Sequence, residues 1–502
     1  MTAPNTATTA ATAVAPTAES PTARAVRPDR VSRRTELAVL AAILVLALAV
    51  HLYNLGDFPD TILADEADNA QDALRITYGL TPENGVFGLD WTGQPALSAY
   101  ILAAFIYLFG FTSFVIRFPT ALISVLALVP FFFLLRRQFS LVASSLATLL
   151  LASLVWYLNF SRSAWNNIHV CFYMLGAMAC LMLALDAISS PAPNSRVKWL
   201  YFAAVGAFCA LGLNAYPSGR AIVLGIALFF PVALWFYRRR WKELLAGYAV
   251  LGLATLVLIL PLATYVLGRW EAYTGRSNVV ALTGSPEFKA DPAGTFLQQL
   301  SRNVRGLWDG SVNNTAQYTP VGEPQLDTVT AVLVLAGMLL SLLLPSVRRR
   351  PETWLWWSML LVAWFATQVL TVGTPNGARG IGYMPTLVYF AAVSLDAALG
   401  LFKRTPLWAR RSAAAGAAVL LVDVAAWNVS QYAEWQSKPR TRQDRYLYIT
   451  AAEFPAWTAR VKELAAGKQN IINVGGWRDL YPIEDIQNPQ SPAVAPTPQP
   501  AP

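Results

Sequence analysis

The sequence predicts an all-α integral membrane protein with about eleven transmembrane helices. Of its 502 residues, 55% are hydrophobic and only 13% are charged, whereas soluble domains carry about 25% charged residues. The apolar residues fall in runs of about 20, the length that crosses a bilayer. The net charge of +9 comes from short basic clusters between these runs, which is typical of membrane topology and not of a nucleic-acid-binding face. This pattern excludes a soluble enzyme, a disordered scaffold and a secreted domain built on disulfides.

Two segments of different composition flank the predicted membrane domain, which spans residues 36–428. Residues 1–35 are rich in Thr, Ala and Pro and predict a disordered cytoplasmic tail, because this composition cannot bury a core. Residues 491–502 predict a second disordered tail. Between them, apolar runs of spanning length lie near 37–53, 113–135, 142–160, 170–187, 199–214, 220–237, 243–266, 327–345, 353–372, 380–400 and 412–428.

The distribution of Lys and Arg predicts the orientation and decides whether a further apolar stretch, 95–110, crosses the membrane. If the N-terminus is cytoplasmic and 95–110 does not cross, the cytoplasmic segments hold 20 Lys and Arg residues and the external loops hold 10. If it crosses, clusters such as Arg238–Arg240 become external, against the positive-inside rule. We therefore expect 95–110 to be a re-entrant or membrane-surface helix. The long external segments are then 54–112, 267–326 and a small C-terminal segment, 429–490, in which the sequence predicts one helix near 452–466 and a short strand near 470–474.

The first external loop is strongly acidic. Eight Asp and Glu residues lie within 57–90, where Arg75 is the sole basic residue. From Asp65 onward the spacing predicts a helix on the membrane surface with its apolar side down. Asp65 and Glu66 would lie at its N-terminal end, where the helix dipole favours ionised carboxylates. An ionised carboxylate at the lipid–water boundary can act as general base for an acceptor hydroxyl.

Four motifs follow one another in a characteristic order and spacing: Asp65-Glu66 after the first span, Gln94-Pro95-Ala96-Leu97 opening an apolar helix, Arg117-Phe118-Pro119 beginning the second span, and Arg136-Arg137 ending it. By these motifs, residues 37–240 resemble the multi-span glycosyltransferases that use lipid-phosphate-linked sugars, in the branch of the protein O-mannosyltransferases and aminoarabinose transferases. Beyond residue 240 the resemblance is one of topology alone.

This resemblance implies a fold, a reaction and a location. The reaction would transfer a sugar, with mannose as the first choice, from a polyprenyl-phosphate donor to an acceptor hydroxyl by an inverting single displacement. Asp65 would activate the acceptor, and Glu66 would hold or assist it. The protein would be multi-pass in the plasma membrane, with its active site external or periplasmic. The acceptor could be a protein, a lipid or a glycan, and no nucleic-acid partner is expected.

The chain departs from the family pattern at two places. Aminoarabinose transferases carry Lys-Pro, and O-mannosyltransferases His-Pro-Pro, where this chain has Gln94-Pro95. Gln94 can hydrogen-bond a phosphate or a sugar but cannot neutralise charge. The second external loop often holds an acidic residue in relatives, whereas this chain has the stretch Arg162 to His169. We expect no divalent metal or other cofactor, because no second carboxylate or His pair could complete a hard-cation site.

A phosphate leaving group needs cations, and four arginines fall at external ends of predicted spans. Arginine suits bidentate phosphate contacts, although an interfacial Arg can equally anchor the protein to lipid headgroups. Arg379 and Arg220 are the first candidates because each follows a Gly/Pro-broken turn. Arg117 and Arg162 are further candidates for donor or substrate binding, and His169 could relay a proton or simply be structural.

Two other classes of function fit the membrane topology. A transporter or flippase of a lipid-linked intermediate would carry charges in mid-span or an internal repeat, and of the few mid-span acids Asp423 is alone in its run. A polysaccharide polymerase or ligase would place its chemistry in a large late loop, such as 267–326. Neither class accounts for the acidic pair in the first loop.

Overall fold

The computed structural model describes residues 31–80, 94–190, 195–313, 318–320, 322–438, 448–450 and 453–467. Most of the predicted N-terminal tail, the C-terminal tail and the acidic residues Glu83 and Asp90 lie outside this part of the chain. The α-helices are α1 (Arg33–Leu52), α2 (Ala64–Thr77), α3 (Leu97–Phe109), α4 (Ser113–Arg136), α5 (Leu141–Ser153), α6 (Val155–Ser161), α7 (His169–Ser189), α8 (Ser195–Ala215), α9 (Arg220–Phe236), α10 (Trp241–Gly268), α11 (Trp270–Val280), α12 (Pro286–Ala290), α13 (Pro292–Arg305), α14 (Thr328–Leu343), α15 (Pro345–Arg348), α16 (Pro351–Trp364), α17 (Gly377–Gly380), α18 (Met384–Leu401), α19 (Leu407–Ser437) and α20 (Phe454–Ala466). Two strands are described, β1 (Thr61–Leu63) and β2 (Tyr448–Thr450).

The predicted fold class is confirmed, since helices dominate and every predicted apolar run coincides with a helix or a broken helix. Within the described residues, eight helices are long and apolar enough to cross a membrane, or nine if α5 and α6, bent by 59°, form one span. The helix α14 has 16 residues, and α16 continues into a π-helix over Phe365–Val369. The count of eleven spans therefore stays a prediction.

The bend between α5 and α6 has a local cause. Leu154 leaves the helical conformation, with ψ of 134°, so the backbone N–H of Val155 loses its partner in the preceding turn. The side chain of Asn428 on α19 accepts this N–H at 3.3 Å. A buried polar side chain thus replaces the missing backbone hydrogen bond, as the low-polarity interior requires.

The core of the bundle lies around α7 and α18. All side chains of α18 from Met384 to Leu395 are buried, and α7 packs on α4 and α8. The helix α14 crosses α18 at Gly337, where any Cβ would overlap the backbone of Phe390. Small residues allow such close helix contact within a membrane.

One end of the bundle is rich in ion pairs. The Arg136 side chain at the end of α4 pairs with Glu36 of α1 at 2.7 Å, and both are buried. Arg137 pairs with Asp186 at 2.6 Å and with Glu352 at 3.0 Å. The 24 residues of α4 give a length of about 36 Å, so this basic end lies a membrane thickness from the first loop.

At the opposite end, the first loop and the C-terminal segment fold together. The strand β1 pairs antiparallel with β2, with Leu63 opposite Tyr448. The helix predicted near 452–466 is present as α20, and Trp457 on it is fully buried beside Phe111. The strand predicted near 470–474 lies outside the described residues.

The helix α2 begins at Ala64, one residue before the start that the sequence pattern indicates. Its apolar face contacts protein, because Ala67, Ala70 and Leu74 pack in one cluster with residues of α3, α4 and α20. The position of α2 on the membrane surface stays a prediction. The helix α3, with 13 residues, is about 20 Å long, short of the about 30 Å bilayer core.

Candidate functional site

Asp65 occupies the first turn of α2, directly after β1. Its side chain is half-buried, and the helix has two acidic residues in this turn. The positive end of the helix dipole favours the ionised carboxylate here. Because β1 pairs with β2 immediately before Asp65, the position of this carboxylate is set by a sheet and a helix together.

Glu66, its neighbour, is held inside the protein by three hydrogen bonds. Its Oε2 accepts the backbone N–H of Leu63 at 3.0 Å, which closes the first turn of α2. Its Oε1 accepts the backbone N–H of Ala164 at 2.8 Å and Nε of Arg117 at 3.1 Å. The side chain is 3% exposed, so Glu66 joins the first loop to the second external loop.

Arg117 is fully buried at the start of α4. Besides its ion pair with Glu66, it donates to three backbone carbonyls of the segment between α1 and α2. The partners are Leu55 O at 3.3 Å, Pro59 O at 2.9 Å and Thr61 O at 2.6 Å. This guanidinium therefore fixes the path of the chain that leads to Asp65.

Arg162, in the second external loop, also holds the segment between α1 and α2 in place. Its guanidinium lies between the rings of Phe58 and Tyr432, at 5.8 and 5.7 Å from their centroids. Its two terminal nitrogens donate to the carbonyls of Val50, His51, Tyr53 and Phe58 at 2.7 to 3.0 Å. Arg117 and Arg162, the candidates for substrate binding at the second and third predicted spans, thus make mainly intramolecular contacts.

Arg379 lies on the short helix α17, which follows a turn built around Asn376. The Asn376 side chain caps α17 by accepting the backbone N–H of Arg379 at 3.0 Å. The Gln368 amide holds Asn376 through two backbone bonds of 2.9 Å. Nη1 of Arg379 donates to Val372 O at 2.7 Å. This network makes the position of the guanidinium well defined.

A cavity beside Arg379 is otherwise mainly apolar. Its walls include Met174 on α7, Ile222 on α9 and Met359 on α16, and the hydroxyl-bearing Ser218 and Thr367 also line it. Oγ of Ser218 is buried without a hydrogen-bond partner. A cationic end with apolar walls suits an amphipathic anion.

Arg220 is the first residue of α9 and contacts the second long loop. Its Nε donates to the hydroxyl of Tyr273 at 3.3 Å, and its Nη1 donates to Oγ of Ser277 at 3.2 Å. Its guanidinium also stacks on the Tyr273 ring, 4.5 Å from the centroid. The helix α11 of the 267–326 loop is thereby held over this arginine.

Tyr318, in the same long loop, connects the candidates from distant parts of the chain. Burial, followed by the negative charge of Asp65, raises the pKa of its hydroxyl, while the positive charge of Arg379 acts in the opposite direction. Its ring packs 5.3 Å from that of Trp165. The charges of the carboxylate and of the guanidinium therefore both act on the same half-buried phenol.

His169 and Asn166 line a second, polar cavity between α2, α3 and the start of α7. Nδ1 of His169 is 3.1 Å from Oγ of Ser98, the second residue of α3. Gln94 is half-buried three residues before α3. Within the described residues no group of three His, Cys, Asp or Glu side chains is placed to hold a metal ion.

Sequence reasoning missed Tyr318, Gln368 and Asn166 as members of this site. Their sequence contexts carry no motif, because Gln368 lies inside an apolar run and Tyr318 in a loop of mixed composition. The available signal was weak: a buried amide inside a span is costly and usually satisfies a specific partner.

Part of the chain matches a known protein family. Residues 93–265 match the family described as dolichyl-phosphate-mannose-protein mannosyltransferase. A curated relative from Pseudomonas aeruginosa strain LESB58, named undecaprenyl phosphate-alpha-4-amino-4-deoxy-L-arabinose arabinosyl transferase, is 26% identical over 283 residues. That match covers 54% of this chain and 48% of the relative, so the chain spans about half the length of the curated relatives it matches.

Solved structures share the fold. ArnT from Cupriavidus metallidurans, bound to undecaprenyl phosphate, superposes with a TM-score of 0.53 at 14% identity, covering 88% of this chain and 82% of that one. The Archaeoglobus fulgidus oligosaccharyltransferase gives a TM-score of 0.53 at 17% identity, covering 86% and 58%. The chain thus resembles the multi-span, C-type-fold glycosyltransferases, in the branch of the protein O-mannosyltransferases and aminoarabinose transferases.

Proposed function

We propose that this protein is a membrane glycosyltransferase that moves a sugar from a polyprenyl-phosphate donor to an acceptor hydroxyl at the external face. The acceptor would be a protein, a lipid or a glycan. The observation that carries the proposal is that the charges of Asp65 and Arg379, which are far apart in sequence, both act on the hydroxyl of Tyr318. A displacement at a sugar phosphate needs a base for the acceptor and a cation for the phosphate, and these two groups would supply them.

The cavity beside Arg379 supports a lipid-phosphate donor. The guanidinium suits the phosphate. The apolar side chains next to it, including Met174, Ile222 and Met359, suit the first carbons of a polyprenyl chain, since the cavity has room for only one small group. Arg220 is the second phosphate candidate, since it faces the same external region through Tyr273. Arg117 and Arg162 instead act as positioning residues for the first loop, because their terminal nitrogens already donate to carbonyls.

In the proposed reaction the acceptor hydroxyl loses its proton to Asp65 while its oxygen bonds to the anomeric carbon. The bond from that carbon to the phosphate oxygen breaks, and its electron pair leaves with polyprenyl phosphate. One displacement inverts the anomeric configuration. The arginines stabilise the charge that develops on the phosphate.

The orientation follows from the two ends of the bundle. The basic end with Arg136 and Arg137 would face the cytoplasm, in line with the positive-inside rule. Asp65 and Arg379 would then lie at the external or periplasmic face of the plasma membrane. The lipid tail of the donor stays in the bilayer while its sugar reaches the aqueous side.

The relatives support a polyprenyl-phosphate donor but carry two different sugars in their names, mannose and 4-amino-4-deoxy-L-arabinose. We propose mannose as the first sugar to test. The part of the chain that matches the mannosyltransferase family includes Gln94, His169 and Arg220. These three residues stay candidates for substrate binding, whereas Arg162 positions the first loop.

The test is a reconstituted assay in liposomes. Purified protein receives polyprenyl-phosphate mannose or aminoarabinose, with a native membrane extract as the source of acceptor, and donor loss is followed. Wild type should turn over one donor, and Asp65→Asn should lose about 10²- to 10⁴-fold in rate, the usual contribution of a general base. Equal turnover by wild type and Asp65→Asn would mean that another residue is the general base. No turnover with either donor would contradict the proposal, and lipid flipping would be measured next.

A further inference from the structure

The polar cavity that contains Asn166 and His169 is not used in the proposed displacement. Its lining includes Asn69 on α2, Ser98 on α3 and Thr120 on α4, together with Ala164. Asn69 comes one helical turn after Asp65, and its amide donates to Ala164 O at 3.0 Å. The cavity therefore opens one helical turn from the proposed base.

Polar atoms without partners line this cavity. Oδ1 and Nδ2 of Asn166 are buried and make no hydrogen bond. Nε2 of His169 is also buried without a hydrogen-bond partner. The two residues are 4% and 2% exposed. Buried polar groups without partners cost free energy, so a cluster of three such atoms on one cavity indicates a ligand that supplies the partners.

The chemistry of the lining indicates which ligand. No Lys, Arg, Asp or Glu is among the residues that line the cavity, so a phosphate or an ammonium group would find no opposite charge. Asn166 offers the two N–H donors of Nδ2 and the acceptor Oδ1, and His169 offers a donor or an acceptor at Nε2. A hydroxyl group is both donor and acceptor, and is neutral. The space suits about one hydroxyl and not a sugar ring.

The position relative to the donor cavity also fits. His169 lines the polar cavity and Val170, the next residue, lines the cavity of Arg379. The first turn of α7 thus separates the two. Nδ2 of Asn167 donates to Ala378 O at 2.8 Å, which ties this turn to the helix of Arg379. The two cavities therefore lie on adjacent residues of α7.

We infer that Asn166 and His169 form a subsite for a hydroxyl of a neutral sugar, so that the enzyme selects neutral over amino sugars. This inference rests on the proposed function. The hydroxyl belongs either to the sugar of the donor or to a glycan acceptor, which share this chemistry.

The decisive variant is Asn166→Leu, which fills the same space with an apolar side chain. We measure displacement of labelled undecaprenyl phosphate by undecaprenyl phosphate and by undecaprenyl-phosphate mannose. In wild type, undecaprenyl-phosphate mannose should bind more tightly than undecaprenyl phosphate. In the variant this ratio of affinities should fall about tenfold, which corresponds to the free energy of one or two hydrogen bonds. Affinity for the lipid without sugar should stay unchanged. His169→Phe should have the same effect.

A second arm distinguishes the two sources of the hydroxyl. If it belongs to the acceptor, the gain from the donor sugar stays as in wild type, and the apparent KM for the membrane extract rises about tenfold instead. If neither quantity changes, the subsite is wrong. Absence of wild-type turnover would contradict the proposed function. If wild type turns over normally but Asn166→Leu changes neither the gain in affinity from the donor sugar nor the KM for the extract, the subsite alone is contradicted.

Thermal unfolding separates a binding role from a structural one. Asn166→Leu removes two buried groups without partners, so its midpoint should equal or exceed that of wild type. The matched control is Asn214→Leu, since Asn214 is half-buried and bonds Ala210 O within its own helix. The control should leave the gain from the donor sugar intact. A midpoint for Asn166→Leu well below that of the control would show that Asn166 is structural and would overturn the inference.

Discussion

Asp65 and Glu66 are adjacent in the sequence but have different environments. Asp65 is half-buried, whereas both oxygens of Glu66 are occupied by Leu63, Ala164 and Arg117. A helix turns about 100° per residue, so neighbours face different partners. The pair therefore divides into the proposed base, Asp65, and a carboxylate that fixes the start of α2.

This division gives a prediction at the residue scale. Glu66→Ala should destabilise the protein by about 3–5 kcal/mol, because it leaves the Arg117 guanidinium charged, buried and unpaired. Asp65→Asn should leave stability nearly unchanged. The measurement is the thermal-unfolding midpoint of both variants in the same detergent. Equal midpoints for Glu66→Ala and wild type would contradict the structural role of Glu66.

At the scale of elements, the C-terminal segment supports the first loop. Its strand β2 pairs with β1 directly before Asp65, and Trp457 on α20 fills a pocket beside Phe111 and Phe454, 5.7 and 5.5 Å from their rings. The helix α2 thus rests on a segment nearly 400 residues away in sequence. No local pattern around either partner predicts this pairing.

Trp457→Ala should loosen the first loop without unfolding the bundle. Loss of a fully buried tryptophan costs about 3–5 kcal/mol, and its neighbours belong to α2, α3 and α4 through one apolar cluster. Hydrogen exchange should rise across Thr61–Leu63 and α2 but not across α18. The control is Trp427→Ala, since Trp427 on α19 is 58% exposed. Unchanged exchange in the first loop would mean that α20 does not support it.

Local features of the fold can be predicted from the sequence alone. The apolar runs predict the helices correctly because hydropathy and helix length are local properties, as α7 and α18 illustrate. The helical spacing after Asp65 gave α2 for the same reason. The action of the Asp65 charge on the Tyr318 hydroxyl depends on tertiary folding, since the two residues are about 250 positions apart in sequence. The intramolecular roles of Arg117 and Arg162 likewise depend on carbonyls that only the folded chain brings together.

At the scale of the whole molecule, the two ends of the bundle differ in charge and in chemistry. At one end, Arg136 pairs with Glu36 and Arg137 pairs with Glu352, and these ion pairs are buried or half-buried. The other end carries Asp65, Arg379 and the 267–326 loop. A helix with the length of α4 separates them by about 36 Å. The positive-inside rule then predicts which compartment each end faces, and this can be tested without knowing the substrate.

Two single-cysteine additions test this orientation. Ala293 on α13 and Ser346 on α15 are both exposed, and they lie in the loop predicted to be external and in a segment predicted to be cytoplasmic. In intact cells, a membrane-impermeant maleimide should label Ala293→Cys at once and Ser346→Cys only after permeabilisation. Wild type gives the baseline, because Cys171 and Cys209 are buried and Cys180 is half-buried. The reverse labelling order would place Asp65 and Arg379 on the cytoplasmic side, and the donor sugar would then have to be presented from there.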